Sequence, residues 1–275
     1  MKKFTILTSI YNSKKFLSSY FKTISIQKYM PDEIVLIDDT KNPKDLKNII
    51  LKYQKKYKFK KIILIKNKKN LGPAKSYNKG LKKIKNKLIF RLDVDDKWKK
   101  NHVSYLLGLH EKYKNVLIYS NSVKYDSIKN RLKCDDYFIN ENQSIHSSWL
   151  INKEEYKDFE YKLENPILAL EDYATITYYL KKNFKIFLTN KKSVIYNFAN
   201  PNSHGKNYKK NLLFIKKKKD LAKELFIHNC KINKFSNFKI LNIINFITTK
   251  FGIIKFFIYL FWTLDLLKFK FFMGR

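Results

Sequence analysis

Across the first 92 residues, four short apolar runs alternate with three stretches in which apolar side chains recur every three or four positions. The runs, residues 4–8, 33–38, 61–66 and 87–92, are rich in Ile, Leu and Val and read as strands. In the stretches between them, Leu17, Phe21 and Ile24 share one helical face. So do Leu46, Ile49, Ile50 and Tyr53, and then Ala74, Tyr77, Leu81 and Ile84. Strand and helix in regular alternation predict the α/β class: a Rossmann-like, mostly parallel central sheet flanked by helices on both faces.

The rhythm loosens from residue 119. Residues 135–148 are polar and loop-like, 166–180 read as a helix, 185–188 and 194–198 as short strands, and 208–230 as a basic helix. Residues 235–273 are crowded with Phe, Ile and Leu but interrupted by Lys239, Lys250, Lys255, Asp265, Lys268 and Lys270. No run of about 20 uncharged residues is left to span a bilayer. One or two basic, aromatic helices lying in a membrane interface are expected there, with a partner-binding or core-packing helix pair as the alternative. The expected organisation is therefore 1–118, 119–205 and a helical C-terminal extension, 206–275. At the other end, the apolar run stops at Asn12-Ser13-Lys14-Lys15 with no small-residue cleavage site, so it reads as a strand and not a signal peptide.

With 58 Lys and Arg against 23 Asp and Glu, the formal charge is +35, which would suit nucleic acid through counterion release. Yet the arginines are just Arg91, Arg131 and Arg275, and Arg is the residue suited to bidentate phosphate and base contacts. Lysine in the company of many Asn, Ile, Phe and Tyr points to AT-rich coding, so nucleic acid is not expected as a partner. An anionic membrane surface is. Cys134 and Cys230 form no CxxC pair, which excludes a zinc ribbon or a disulfide scaffold and fits a reduced, cytoplasmic setting.

In open α/β sheets, ligands bind at the carboxyl ends of the strands. There the sequence places Thr8-Ser9-Ile10-Tyr11-Asn12, Asp38-Asp39-Thr40, Asn67 to Gly72, and Arg91-Leu92-Asp93-Val94-Asp95-Asp96. The chain carries neither GxGxxG after the first strand nor GxxxxGKS/T, so dinucleotide redox chemistry and P-loop phosphoryl transfer lack their phosphate cradles. Carboxylates at a strand end are hard oxygen ligands, suited to a Mg²⁺ or Mn²⁺ that bridges to a diphosphate.

These elements stand in a specific order: Ser9-Ile10-Tyr11-Asn12, a helix ending Ile24-Ser25-Ile26-Gln27, Glu33 through Asp39, Asn70-Leu71-Gly72-Pro73-Ala74, Asn78-Lys79-Gly80, and Arg91 through Trp98. In that order they resemble the family 2 glycosyltransferases, closely over residues 4–110 and more loosely to about 205. The resemblance implies the GT-A fold, with 1–118 as its nucleotide-sugar-binding half and 119–205 as its acceptor-binding half. It implies that Ser9, Tyr11 and Asp39 hold the nucleotide base and that Gly72 lets the backbone approach the nucleotide. Lys75 and Asn78 would lie by the nucleotide sugar, Asp93 would face the ribose or donor sugar, and Asp95 would bind Mn²⁺ or Mg²⁺ under the diphosphate. His204, in Asn202-Ser203-His204-Gly205, stands where relatives place a further metal ligand. Leu170-Glu171-Asp172-Tyr173 matches the family's acceptor-side element, with Asp172 as general base, Glu171 beside it and Trp149 near the acceptor wall.

The activity so implied is inverting, metal-dependent transfer of a hexose or N-acetylhexosamine from a nucleotide-diphosphate sugar, UDP-linked, to a hydroxyl of a bacterial surface glycan. Lipopolysaccharide, O-antigen or capsule would be the product, carried on lipid, with the tail holding the enzyme peripherally at the inner face of the cytoplasmic membrane. The competing class is a GT-A-like domain without catalysis, or a cationic protein that binds nucleic acid or membrane. A sugar nucleotidyltransferase is disfavoured, because Ser9 to Ser13 is not a Gly-rich basic loop. The Asp-Asp-Thr-Lys-Asn turn lacks the Ser and Asp common in the family, and residues 150–165 lack its Gly-rich turn, so the acceptor stays open.

Overall fold

The four predicted strands make up the parallel half of the sheet. In a computed structural model, which describes residues 2–40, 46–125, 146–162 and 171–197, they are β1 (Phe4–Ile10), β2 (Glu33–Asp38), β3 (Ile62–Lys66) and β4 (Leu88–Arg91). Their spatial order is β3-β2-β1-β4, with every pairing parallel. The chain leaves β1 toward β2 on one side and returns as β4 on the other, so the carboxyl edge between β1 and β4 is a topological switch point.

Four more strands extend the sheet: β5 (Lys97–Trp98), β6 (Ile118–Tyr125), β7 (Trp149–Asn152) and β8 (Ile186–Tyr196). The full order is β3-β2-β1-β4-β7-β6-β8-β5. The pairs β4–β7, β7–β6 and β8–β5 are antiparallel and β6–β8 is parallel. β8 is one strand where two short ones were expected. The polar stretch that suggested a break lies opposite a register shift around Ser122 in β6, an irregularity that lets a strand continue past residues unsuited to regular pairing. The expected helix at 166–180 is described from residue 171. Of the expected loop at 135–148, His146–Ser148 form a buried 3-10 turn; its remainder, the helix at 208–230 and the tail from 206 lie outside the described residues. No helix among the described residues is long and apolar enough to cross a membrane.

Period-two alternation sorts the strands into two faces. Ile6, Ile10, Ile34, Leu36, Leu88 and Phe90 face one core. Leu17, Tyr20, Phe21 and Ile24 of α1 (Leu17–Ser25), Leu46 and Ile50 of α2 (Leu46–Tyr57), and Val103 and Leu106 of the helix that becomes α4 (His102–Lys112) complete it. The other face carries α3 (Pro73–Leu81). A Cβ on Gly80 would stand 2.6 Å from Leu7 Cδ1 and 2.8 Å from Ile37 Cδ1, so the absence of a side chain lets α3 lie backbone-close on β1 and β2. Continuing that alternation to the strand ends puts Ser9, Asp39, Arg91 and Asp93 on the α3 face. The last described helix is α5 (Glu171–Lys181).

Candidate active site

Asp39 follows β2 and turns its carboxylate onto the loop that leaves β3. Its Oδ1 accepts hydrogen bonds from Asn67 Nδ2 (2.8 Å) and the Leu71 amide (2.8 Å), and its Oδ2 accepts one from the Gly72 amide (3.0 Å). A carboxylate offers about four acceptor positions, so one remains for a ligand. Gly72 adopts φ 77° and ψ 167° immediately before Pro73 opens α3, a backbone region essentially confined to glycine. A Cβ built there meets nothing within 4 Å, so the space in front of Gly72 is open. Gly72→Ala is expected to cost about 1–3 kcal/mol through backbone strain without any clash, seen as a lower urea midpoint at unchanged slope. Across the edge, Ser9 is half-buried near the end of β1. Tyr11 is 48% exposed on a turn whose Asn12 amide donates to Thr40 Oγ1 (3.1 Å).

The turn after β4 is held from below. Asp93 Oδ1 accepts from Arg91 Nη2 (2.7 Å) and from the Tyr77 hydroxyl (3.0 Å). Arg91 is fully buried, lies 3.8 Å from the Tyr77 ring centre, and also donates to the Leu7 and Leu92 carbonyls. Burial raises the Asp93 carboxyl's pKa, but the Arg91 guanidinium, His146 and the Tyr77 hydroxyl together outweigh burial and hold it below the usual carboxylate range. Asp96 is spent on structure. Its Oδ2 accepts from Ser147 Oγ (2.5 Å) and its Oδ1 from the Asn197 amide (2.8 Å), while burial and the neighbouring Asp95 and Asp93 push its pKa up. Ser147 also accepts from the Asp93 amide (2.9 Å), and its carbonyl accepts from Trp98 Nε1 (2.6 Å). Asp95, half-buried between them, belongs to a turn fixed at both ends.

Across from that turn, Glu171 and half-buried Asp172 open α5. Glu171 is 7% exposed, and its Oε1 lies 3.8 Å from Nδ1 of buried His146. Burial, reinforced by the Asp172 charge, pushes the Glu171 carboxyl up to about 8, while burial pushes the His146 imidazole down to about 3. Both are therefore neutral near pH 7. An unfolded chain ionises Glu171 near 4.5 and so binds fewer protons than the fold between there and about 8, over which interval stability falls with rising pH. His146 acts in the opposite direction: below about 6.5 the unfolded chain charges it and the fold does not, so its contribution declines as pH drops toward 3. Glu171→Gln, which cannot ionise, is expected to flatten the alkaline decline in urea unfolding measured at pH 5 and pH 8.

The remaining expectations are placed unevenly. Lys75 is exposed in the first turn of α3. Asn78 does not turn its amide to a ligand: Nδ2 donates to the Tyr161 carbonyl (2.9 Å) and Oδ1 accepts from the Tyr161 amide (2.7 Å), so it anchors residues 159–162. Trp149 is fully buried and lies 5.9 Å from the Tyr161 ring at an angle of 3°, within the core and not on an open wall. His204 lies outside the described residues. Tyr77, Ser147 and Tyr161 were not singled out from sequence. Arg91 could have been, as one of three arginines among 58 cations.

Residues 5–169, well over half of the chain, match the family model described as Glycosyl transferase family 2. The chain belongs to that family. An uncharacterized glycosyltransferase of Methanocaldococcus jannaschii is 24% identical over 223 residues, 76% of each protein. An Escherichia coli UDP-Gal:alpha-D-GlcNAc-diphosphoundecaprenol beta-1,3-galactosyltransferase is 31% identical over 124 residues, 44% of each. Two solved structures share the fold. Staphylococcus aureus TarS 1–349 in complex with UDP-GlcNAc has a TM-score of 0.61 and 16% identity over 90% of this transferase and 79% of that chain. A Pyrobaculum calidifontis mannosyltransferase in complex with GDP-Man and Mn²⁺ has a TM-score of 0.59 and 11% identity over 84% and 75%. The α/β architecture is that of the GT-A glycosyltransferases.

Proposed function

We propose that this transferase moves a hexose or N-acetylhexosamine from a UDP-linked donor to a hydroxyl of a lipid-carried bacterial surface glycan, with inversion at the anomeric carbon. The reading is carried by the division of labour among the carboxylates. Asp39 shapes the Gly72 loop, and Asp93 has one oxygen pinned by Arg91 and Tyr77. Asp95 sits in the fixed turn and Asp172 opens α5. The relatives add support: one is named for UDP-Gal and a diphosphoundecaprenol-linked acceptor, and one fold neighbour holds UDP-GlcNAc.

In this reading the base and ribose lie between Tyr11 and the Asp39–Gly72 clamp, with Ser9 beneath and Lys75 near the phosphates. Asp172 takes the proton from the acceptor hydroxyl as that oxygen attacks the anomeric carbon from the face opposite the diphosphate, and a single displacement inverts the configuration.

The residues fit a divalent cation. Both Asp96 oxygens and Asp93 Oδ1 are engaged by the protein, so the second Asp93 oxygen and the neighbouring half-buried Asp95 carboxylate would be the hard oxygen ligands. No three His, Cys, Asp or Glu side chains group as a metal site among the described residues. One or two carboxylates completed by the diphosphate's own oxygens is the usual way Mg²⁺ is held, and oxygen donors suit Mn²⁺ as well. His204 is a further candidate ligand, and a fold neighbour holds Mn²⁺. When bound, the cation would offset charge developing on the leaving diphosphate. The basic, aromatic residues 206–275 would keep the enzyme on the anionic inner face of the cytoplasmic membrane, where lipid-linked acceptors reside.

A thermal-shift panel of UDP-, GDP-, dTDP- and CMP-sugars, each with and without Mn²⁺, tests this on the wild type and on Asp95→Ala. UDP-sugars are expected to raise the melting temperature, and the rise is expected to vanish without Mn²⁺ or in the variant. A flat response to every donor would overturn the reading.

A further inference from the structure

Four buried polar atoms without a hydrogen-bond partner occur in one contact-linked cluster beside Asp93: Arg91 Nε, His146 Nε2, Tyr161 Oη and Glu171 Oε2. The links are short. The Arg91 guanidinium lies against the Tyr77 ring, and the Tyr77 ring is 4.9 Å from that of Tyr161 and 5.5 Å from that of His146. His146 is 5.0 Å from the Tyr161 ring and within 3.8 Å of the Glu171 carboxyl. All four side chains are more than nine-tenths buried. Folded proteins leave few buried polar atoms unsatisfied, so four in one cluster call for a polar occupant.

The donor set limits what that occupant is. Arg91 Nε–H donates, whereas a tyrosine hydroxyl, a neutral imidazole and a protonated carboxyl can each donate and accept. A phosphate would call for uncommitted cations, and Arg91 is already paired with Asp93. A metal ion would call for ionised carboxylates, and Glu171 is held neutral by burial. Uncharged groups that both donate and accept are hydroxyls, amides and water, and of these a sugar brings hydroxyls. The surroundings are aromatic: Tyr77, Trp149 and Tyr161 pack on one another around the cluster. Asp93, with 29% of its side chain exposed, is the open edge of the cluster.

We propose that this cluster reads hydroxyl groups of the sugar being transferred, with His146 and Tyr161 as specificity-determining residues; this rests on the glycosyl-transfer reading above. Tyr161→Phe is the cleanest probe. It removes a buried hydroxyl that makes no hydrogen bond of good geometry and has Arg91 as its polar neighbour, so the free protein is expected to melt close to the wild type. His146→Phe keeps the ring and removes both nitrogens.

The experiment is titration calorimetry on the full chain with Mn²⁺, measuring Kd for UDP, UDP-glucose, UDP-galactose and UDP-GlcNAc. Wild type is expected to bind one UDP-sugar most tightly. In both variants the Kd for UDP is expected to stay within about twofold, while the preferred sugar weakens about three- to tenfold and the glucose–galactose preference narrows. Equal weakening of UDP and UDP-sugars would make the cluster structural. Unchanged affinities in Tyr161→Phe would leave it holding water alone. Either result overturns this proposal while leaving glycosyl transfer standing. A folded wild type that binds neither UDP nor any UDP-sugar would remove the transfer reading, and this proposal with it.

Discussion

Asp172→Asn is expected to lower the rate of glycosyl transfer by about 10²–10⁴-fold, the usual contribution of a positioned general base. The amide matches the carboxylate in size but cannot take a proton. Donor affinity is expected to persist, because the groups assigned to the nucleotide lie on β1, β2, α3 and the turn after β4. Stability is expected to change little. Asp172 stands in the first turn of α5, and losing a charge there forfeits about 0.3–1 kcal/mol of interaction with the helix dipole. A second readout comes from its neighbour. Part of what raises the Glu171 carboxyl's pKa is the Asp172 charge, so Asp172→Asn is expected to lower it and to shift the alkaline decline in stability to lower pH. Full transfer activity in this variant would remove Asp172 from the mechanism.

Arg91→Met is expected to be the most destabilising single change at the site, at about 3–5 kcal/mol, because it strips one partner from a buried ion pair. Asp93 keeps its charge without the guanidinium, and the Leu7 carbonyl loses its donor. The pair's contribution is present above the ordinary aspartate pKa and lost as pH falls through the lowered value, so urea unfolding of the variant is expected to show a weaker acid dependence than wild type. Arg91→Lys keeps a charge but has one ammonium in place of a planar fork. It cannot lie flat on Tyr77 while bonding Asp93 and Leu7 together, so an intermediate loss of stability and a weaker UDP-sugar affinity are expected.

Arg91 also illustrates what the chain discloses before it is folded. The parallel half of the sheet was legible because periodicity is local: Leu17, Phe21 and Ile24, or Ala74, Tyr77 and Leu81, need only their own spacing to declare a buried face. The strand-end position of Asp39 and Asp93 followed from the same pattern. Their tasks did not, since a sequence shows where a carboxylate stands and not which amides approach it. Asn78 and Trp149 show the same gap, one committed to the Tyr161 backbone and the other buried. β7 was missed because, unlike the equally short β4, it stands outside the regular strand–helix alternation, and the roles of His146, Ser147 and Tyr161 depend on partners far away in the chain.

The two bonds that fix Asp96 span 51 and 101 residues, to Ser147 and to Asn197. All pairings among β1 to β4 lie within the first 91 residues, so that ladder has its partners early on a chain growing from the ribosome. The turn carrying Asp93, Asp95 and Asp96 does not. Its contact order is set by the second half of the domain, and closing so long a loop comes late. A nascent or truncated chain ending before residue 147 would contain every strand-end carboxylate yet leave Asp96 without its bonds to Ser147 and Asn197, so the turn takes its shape only once the chain has reached residue 197.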